Sequence, residues 1–246
     1  MSFVDSHCHI YEDEIIIEEA LKNNVNILIS SGCDEKSNLK VLQLIEKYDN
    51  VYGCIGYHPS EVKNISDNNL SLLKKQCDNP KIIAIGEIGL DYYYGKENKF
   101  NQIKMFKKQL ELATILKKPI VVHSRDAAKD TYDLLKEFKL TGSIHCFSYG
   151  VDMAKQFVKL GYHLGITGVV TFKNSEKLKK VVKEIPLDKL LLETDSPYLT
   201  PIPYRGKTNY PKYIPFIAKE IARIKQIDVE MVGFKTTKNI INLFNI

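Results

Sequence analysis

Two histidines one residue apart, His7 and His9, follow the apolar pair Phe3-Val4. In a strand, side chains at i and i+2 share a face about 6.5 to 7 Å apart, so long imidazole arms can converge on one cation. By itself such a pair reads as readily as two hydrogen-bonded strand histidines. Four further positions shift that balance. Ile82-Ile83-Ala84-Ile85-Gly86 leads into Glu87, Ile120-Val121-Val122 into His123, Gly142-Ser143-Ile144 into His145, and Leu190-Leu191-Leu192-Glu193-Thr194 into Asp195. Each is a metal-capable residue at the end of an apolar run. Any one of them is explained as a satisfied buried polar group; together, in the same relative place, they point to a shared centre.

The elements that would have to position these residues are legible as an alternation. Short β-branched or apolar runs alternate with longer amphipathic stretches, which is the pattern of repeated βα units and a parallel sheet. Strands are expected near residues 3–9, 25–31, 51–57, 82–87, 119–123, 142–147, 162–167 and 190–195. The clearest helix spans 98–117, where Phe100, Ile103, Phe106, Leu110, Ala113 and Leu116 recur at helical spacing. Lys118-Pro119 ends it, because the residue before proline is steered out of the helical region.

Eight such units in 246 residues match a (β/α)8 TIM barrel, whose usual size is about 250 residues. In that fold the carboxy ends of all strands meet at one mouth, so distant residues gather around one point. A doubly wound open sheet is the alternative, but it would concentrate its site at one switch point rather than at strand ends along the whole chain. The segment 228–244 reads as an added C-terminal helical extension, and the whole of 1–246 as one domain without a flexible linker.

Composition bounds the function classes. The opening residues meet Asp5 at once and offer neither a basic nor an apolar signal region, so no secretory leader is expected. No uncharged run approaches the roughly 18 residues of a membrane helix. The five cysteines (Cys8, Cys33, Cys54, Cys77, Cys146) include no C-x-x-C pair, which argues against zinc-ribbon and dithiol chemistry and suits reduced thiols in the cytoplasm. A formal charge of +5 mildly favours polyanionic partners, although most lysines are expected to solvate helix faces.

H-x-H on strand 1, an acid on strand 4, His on strands 5 and 6 and Asp on strand 8 resemble the amidohydrolase superfamily. More narrowly, the chain resembles the TatD family of metal-dependent deoxyribonucleases. The blocks that carry the resemblance are Val4-Asp5-Ser6-His7-Cys8-His9, Gly56-Tyr57-His58-Pro59, Gly86-Glu87-Ile88-Gly89-Leu90-Asp91-Tyr92, Pro119-Ile120-Val121-Val122-His123-Ser124-Arg125, His145-Cys146-Phe147-Ser148 and Leu192-Glu193-Thr194-Asp195-Ser196-Pro197-Tyr198-Leu199. They run over nearly the whole chain.

The resemblance implies that His7, His9, Glu87, His123, His145 and Asp195 hold two divalent ions, with Glu87 bridging them. Chemistry agrees, since neutral imidazoles and carboxylates suit Zn²⁺ or Mn²⁺, and carboxylates with retained waters suit Mg²⁺. Some relatives in the wider superfamily bridge with a carboxylated lysine; Glu87 places this chain on the TatD-like branch. Two departures stand out. In Arg205-Gly206-Lys207-Thr208-Asn209-Tyr210-Pro211 the variable places hold Thr208 and Tyr210, and Tyr149 is inserted between Ser148 and Gly150.

Around this set, His58 is expected at the mouth, where it would touch a substrate phosphate or the leaving oxygen. Asp91 is expected either to orient a histidine ligand by accepting from it or to form a turn. Arg205 and Lys207 can hold phosphate or serve as solvated surface charges. Tyr92, with Tyr93 and Tyr94, can stack unpaired bases or plug a loop. His163 has no partner motif and reads as structural.

The function that the resemblance implies is hydrolysis of DNA phosphodiesters, from a 3′ end of single-stranded substrate, with Asp195 as general base. The enzyme rival is an ester or amide hydrolase on the same barrel, such as one that releases an amino acid from tRNA, since activated water attacks carbonyl carbon equally well. A non-catalytic nucleic-acid-binding protein would show a broken ligand set. Here the set is whole.

Overall fold

A computed structural model of the chain describes residues 2–11, 14–62, 65–95 and 97–246. The described strands are β1 (Phe3–Cys8), β2 (Val25–Ser31), β3 (Val51–Ile55), β4 (Ile82–Asp91), β5 (Ile120–Arg125), β6 (Gly142–Ile144), β7 (His163–Ile166) and β8 (Leu190–Leu192). They form one parallel sheet in sequence order, β1 through β8. Between them lie α1 (Glu14–Lys22), α2 (Glu35–Lys47), α3 (Asp67–Gln76), α4 (Lys99–Leu116), α5 (Ala128–Glu137), α6 (Val151–Lys159) and α7 (Glu176–Glu184). Two more helices, α8 (Ile214–Lys225) and α9 (Val229–Phe244), follow β8. This is the expected (β/α)8 TIM barrel.

The helices form because each carries one apolar stripe. In α7, Leu178, Val181 and Val182 are buried at helical spacing while lysines and glutamates occupy the remaining positions. The strands are buried on both faces, as a helix-covered parallel sheet demands: all six residues of β1 and all three of β6 and β8 are buried. A second apolar cluster joins Val4, Ile29, Cys54, Ala84, Val121 and Leu191 to Ile240 and Phe244. The expected C-terminal extension is therefore the helix that plugs the barrel from below.

Closure between β8 and β1 does not use a continuous ladder. Asp195 N–H donates to His7 O at 2.9 Å and His9 N–H to Ser196 O at 2.8 Å. Beneath them, Asp5 accepts from Thr194 N–H at 2.9 Å and from the Thr194 hydroxyl, and Ser6 Oγ donates to Glu193 Oε2 at 3.4 Å. Burial raises the Asp5 carboxyl to about 8, against the pull of its Thr194 and His7 hydrogen bonds.

The strand ends differ from expectation at β4, which continues past Glu87 to Asp91. Ile88 and Leu90 are both fully buried, and Ile88 pairs with Val122 and Leu90 with Ser124 of β5, so extended backbone remains favourable. Gly89 permits the pairing: at φ +146°, an added Cβ would stand 1.9 Å from His123 O. β2 keeps its expected bounds and β5 runs two residues past His123 to Arg125, while β1, β3, β6, β7 and β8 are shorter than expected, so that His145 and Asp195 lie just beyond β6 and β8.

Candidate metal centre

His7 is the penultimate residue of β1 with His9 just past the strand, Glu87 projects from within β4, His123 from β5, and His145 and Asp195 follow β6 and β8. All six converge at the barrel mouth. Glu87 faces two groups of histidines with its two oxygens. Its Oε2 lies 3.5 Å from His7 Nε2 and 3.6 Å from His9 Nε2. Its Oε1 lies 2.7 Å from His123 Nδ1 and 3.9 Å from His145 Nε2. Asp195 Oδ1 completes the cluster at 3.4 Å from His9 Nε2, 3.6 Å from His145 Nε2 and 3.9 Å from His7 Nε2.

The outer nitrogen of each ring is occupied in a way that aims the inner one at this cluster. His9 Nδ1 lies 2.9 Å from Ser31 O, and His7 Nδ1 lies 3.1 Å from Ser31 Oγ. His123 uses the opposite nitrogen, with Nε2 3.0 Å from Asp91 Oδ2. His145 Nδ1 lies 3.0 Å from Glu193 Oε1, off the line of a good hydrogen bond. The Ser31 carbonyl and the Asp91 carboxylate can only accept, which places the ring protons of His9 and His123 outward and leaves a lone pair inward, as a metal ligand requires.

The electrostatics fit divalent cations. Burial alone would raise Glu87, but the charge of His145 and hydrogen bonds from His123 and His7 hold it well below the usual carboxylate range. Asp195 is also lowered against burial, by His145 and by its hydrogen bond with His9. Burial pushes the His7 imidazole down. For His145 burial opposes the charged form, yet Glu193, Asp195 and Glu87 raise it to about 9; against burial too, Asp195, Cys33 and Glu87 raise His9, and Asp91 and Glu87 raise His123. Ligand-capable atoms of His7, His9 and Asp195, and of His7, Glu87 and His145, lie within 4.8 Å of one another.

A family model described as TatD related DNase matches residues 4–245. The chain belongs to the TatD family. It is 38% identical to the uncharacterized metal-dependent hydrolase YabD of Bacillus subtilis, over 98% of each chain. It is 40% identical to the uncharacterized metal-dependent hydrolase MJ1582 of Methanocaldococcus jannaschii, over 99% of this chain and 97% of the relative. The crystal structure of YJJV, a TatD homologue from Escherichia coli, superposes with a TM-score of 0.94 at 28% identity, covering 99% of this chain and 98% of that one. With this membership and this ligand set, the TatD-family chain is a metal-dependent hydrolase.

Several residues of the TatD site have roles that sequence reasoning missed. Glu193 is buried, accepts from Cys146 N–H at 2.6 Å and abuts His145; Gly165 leaves it room, since a Cβ there would meet Glu193 Oε2 at 2.2 Å. An acid inside an otherwise apolar strand end, Leu192-Glu193, was the available signal. Ser31 contacts both His7 and His9. Asn209 donates to Thr194 O at 2.9 Å, and its own N–H donates to Pro197 O at 3.0 Å, stapling the Arg205–Pro211 loop to the end of β8. Cys33 Sγ lies 3.6 Å from Glu87 Oε2 and 3.9 Å from His9 Nδ1.

The residues expected beside the ions divide. His58 reaches the centre, with Nε2 3.8 Å from Glu87 Oε1 and its ring edge-on to His123. Ser60 N–H donates to His58 Nδ1 at 3.1 Å, so the proton sits on Nε2; burial keeps the ring neutral, with its pKa pushed down to about 4. Asp91 does both things expected of it: Oδ2 contacts His123 Nε2 at 3.0 Å, and Oδ1 accepts from Tyr93 N–H, two residues on, at 2.9 Å. Arg205 and Lys207 are exposed on the loop after β8, Arg205 with its guanidinium carbon 4.2 Å from the centroid of Phe172. Tyr92 requires correction: it is buried, with its hydroxyl donating to Asp130 Oδ2 at 2.8 Å, so it plugs the loop and offers no stacking face. Tyr93 and Tyr94 are the exposed pair. The inserted Tyr149 is also structural, its hydroxyl 2.9 Å from Ser124 Oγ and 3.2 Å from Ala127 N–H. His163 begins β7, at the end of the barrel away from the mouth.

Proposed function

We propose that this TatD-family hydrolase cleaves DNA phosphodiester bonds, working inward from the 3′ end of a single strand. The observation that carries the reading is the divided contact of Glu87, one oxygen toward His7 and His9 and the other toward His123 and His145, together with two exposed cations, Arg205 and Lys207, on the loop after β8. Neither cation has a carboxylate within ion-pair distance among the described residues, which leaves both free for phosphate. Divalent ions in this set, Mg²⁺ or Mn²⁺ with Zn²⁺ also compatible, supply a water of lowered pKa and positive charge against the phosphate oxygens.

The chain's own groups do the rest. Asp195 is held ionised and partly accessible at the cluster, so it takes the proton of the attacking water. His58 donates from Nε2 toward the departing oxygen; held neutral, it stabilises charge as a hydrogen-bond donor. Arg205 and Lys207 hold the backbone. A duplex end must fray before its terminal phosphodiester reaches a centre set among loops, whereas an unpaired end avoids that cost. The free cysteines Cys8, Cys33, Cys54, Cys77 and Cys146 suit a reducing cytoplasm, and no described helix is long and apolar enough to cross a membrane.

The test is degradation of labelled single-stranded DNA by purified protein, stripped of metal and then resupplied with Mg²⁺ or Mn²⁺. Activity should vanish and return, should favour single strands over blunt duplex, and should be absent from Asp195→Asn. Equal degradation by wild type and Asp195→Asn would reveal a contaminant. Release of an amino acid from aminoacyl-tRNA without DNA cleavage would put the carbonyl-hydrolase reading in its place.

A further inference from the structure

Among 35 basic residues the chain has three arginines, Arg125, Arg205 and Arg223. Lysine meets nearly every need for surface charge here, so each arginine raises the question of what a planar guanidinium does that an ammonium cannot. Arg223 on α8 answers it with a two-pronged contact to Glu220, at 2.9 Å from Nε and 2.7 Å from Nη2. Arg125 and Arg205 have no carboxylate within ion-pair distance among the described residues. Both stand at the mouth, and both lie over aromatic rings.

Arg125 is the last residue of β5, two past His123. Its guanidinium carbon is 3.6 Å from the centroid of Tyr93 and 5.7 Å from that of Tyr94, and the two phenol rings meet edge-on at 4.8 Å. Tyr93 is 55% exposed and Tyr94 84%, and neither belongs to a core cluster, so folding does not account for the group. A single carboxylate ties it to the metal centre. Asp91 accepts from Tyr93 N–H at 2.9 Å through Oδ1 and contacts His123 Nε2 at 3.0 Å through Oδ2.

We propose that the Tyr93–Arg125 pair, edged by Tyr94, is a stacking subsite for an unpaired nucleobase beside the scissile phosphate. The inference rests on the single-stranded DNA reading above and names a recognition element within it. A guanidinium packed on a phenol presents its other face to a base and its edge N–H groups to a backbone phosphate. Lysine in that place would keep its hydration and provide no plane. Because every base has a π-face, the subsite selects unpaired over paired nucleotides without reading sequence.

The test uses the metal-loaded protein and a short single-stranded oligodeoxynucleotide made with phosphorothioate linkages to slow cleavage, carrying 2-aminopurine near its 3′ end. Binding to wild type should quench the 2-aminopurine fluorescence. Arg125→Lys and Tyr93→Leu should each lose the quench and weaken binding about tenfold, the scale of one stacked base, while Tyr93→Phe, which keeps the ring, and Arg223→Lys should match wild type. An abasic residue at the same position should weaken wild-type binding to the level of the two defective variants and leave those variants unchanged. Wild type that binds and degrades the strand, with Arg125→Lys and Tyr93→Leu binding and quenching equally, would overturn the subsite and leave the nuclease reading standing. Wild type that neither binds nor degrades it would overturn both.

Discussion

Asp91 and His123 are joined by a 3.0 Å contact from carboxylate Oδ2 to ring Nε2, on the side of the imidazole away from Glu87. The carboxylate sets both the tautomer and the rotation of a ligand that it does not share. Asp91→Ala should therefore weaken metal binding by about 10- to 100-fold, the usual cost of losing such a partner, while Asp91→Asn keeps an acceptor oxygen and loses less. Competitive titration with a chelator measures both. Wild-type affinity in Asp91→Ala would show that β5 alone fixes His123.

Glu87 is the residue whose loss should change the number of bound ions. Its two oxygens divide between the histidine groups, Oε2 toward His7 and His9 and Oε1 toward His123 and His145. Glu87→Ala should lower metal content per chain and remove turnover together, as elemental analysis and an activity assay on the same sample would show. Unchanged stoichiometry would assign Glu87 another task.

His163 should govern part of the acid stability. Burial, aided by Lys189, pushes its imidazole from 6.5 down to about 4, with Asp188 opposing. Between those values the unfolded chain binds the proton and the folded chain does not, so stability is complete above the upper value and falls as pH drops towards the lower one. His163→Gln should flatten part of that fall, leaving the share of His58, which is displaced in the same direction. Urea midpoints at pH 7 and pH 5 test this. Metal content and turnover should be unaffected, and a loss as large as that of His123→Ala would refute a structural place for His163.

Phe244 should matter for stability despite its distance from the chemistry. It lies in the cluster with Val4, Ile29, Val121 and Leu191 and is 4% exposed. Phe244→Ala should destabilise by about 3 to 5 kcal/mol, the usual cost of emptying a large aromatic site. Denaturant unfolding that shows a change below about 1 kcal/mol would mean that the end of α9 is loosely seated.

The sequence showed the ligands because chemistry and periodicity coincide there. His7, His9, Glu87, His123, His145 and Asp195 each follow an apolar run, and the βα alternation brings those run ends to one mouth. What it hid depended on local backbone. Glu193, Thr194 and Asp195 are three polar residues in a row, and which of them faces the centre is set by the turn in which Asp195 adopts φ 55°. Among Tyr92, Tyr93 and Tyr94, only the path of the chain after β4 decides which ring is buried. The extent of β4 followed from Gly89, which allows contact with His123 that a side chain would forbid. The C-terminal helix was legible as a helix, but the end of the barrel that it closes was not.

The seam between β1 and β8 gives the metal centre a property in time. His7 and Asp195 come from opposite sides of that seam, and Asp5 and Thr194, which help to hold it shut, lie 189 positions apart in the chain. During synthesis, β1 waits as an unpaired edge until β8 has been made, because such distant contacts pay their loop-closure cost last. A nascent or truncated chain lacking β8 presents its histidines without Asp195 and without the walls that aim them. Hydrolytic competence therefore appears only when the barrel closes, and a partly made chain has no assembled centre.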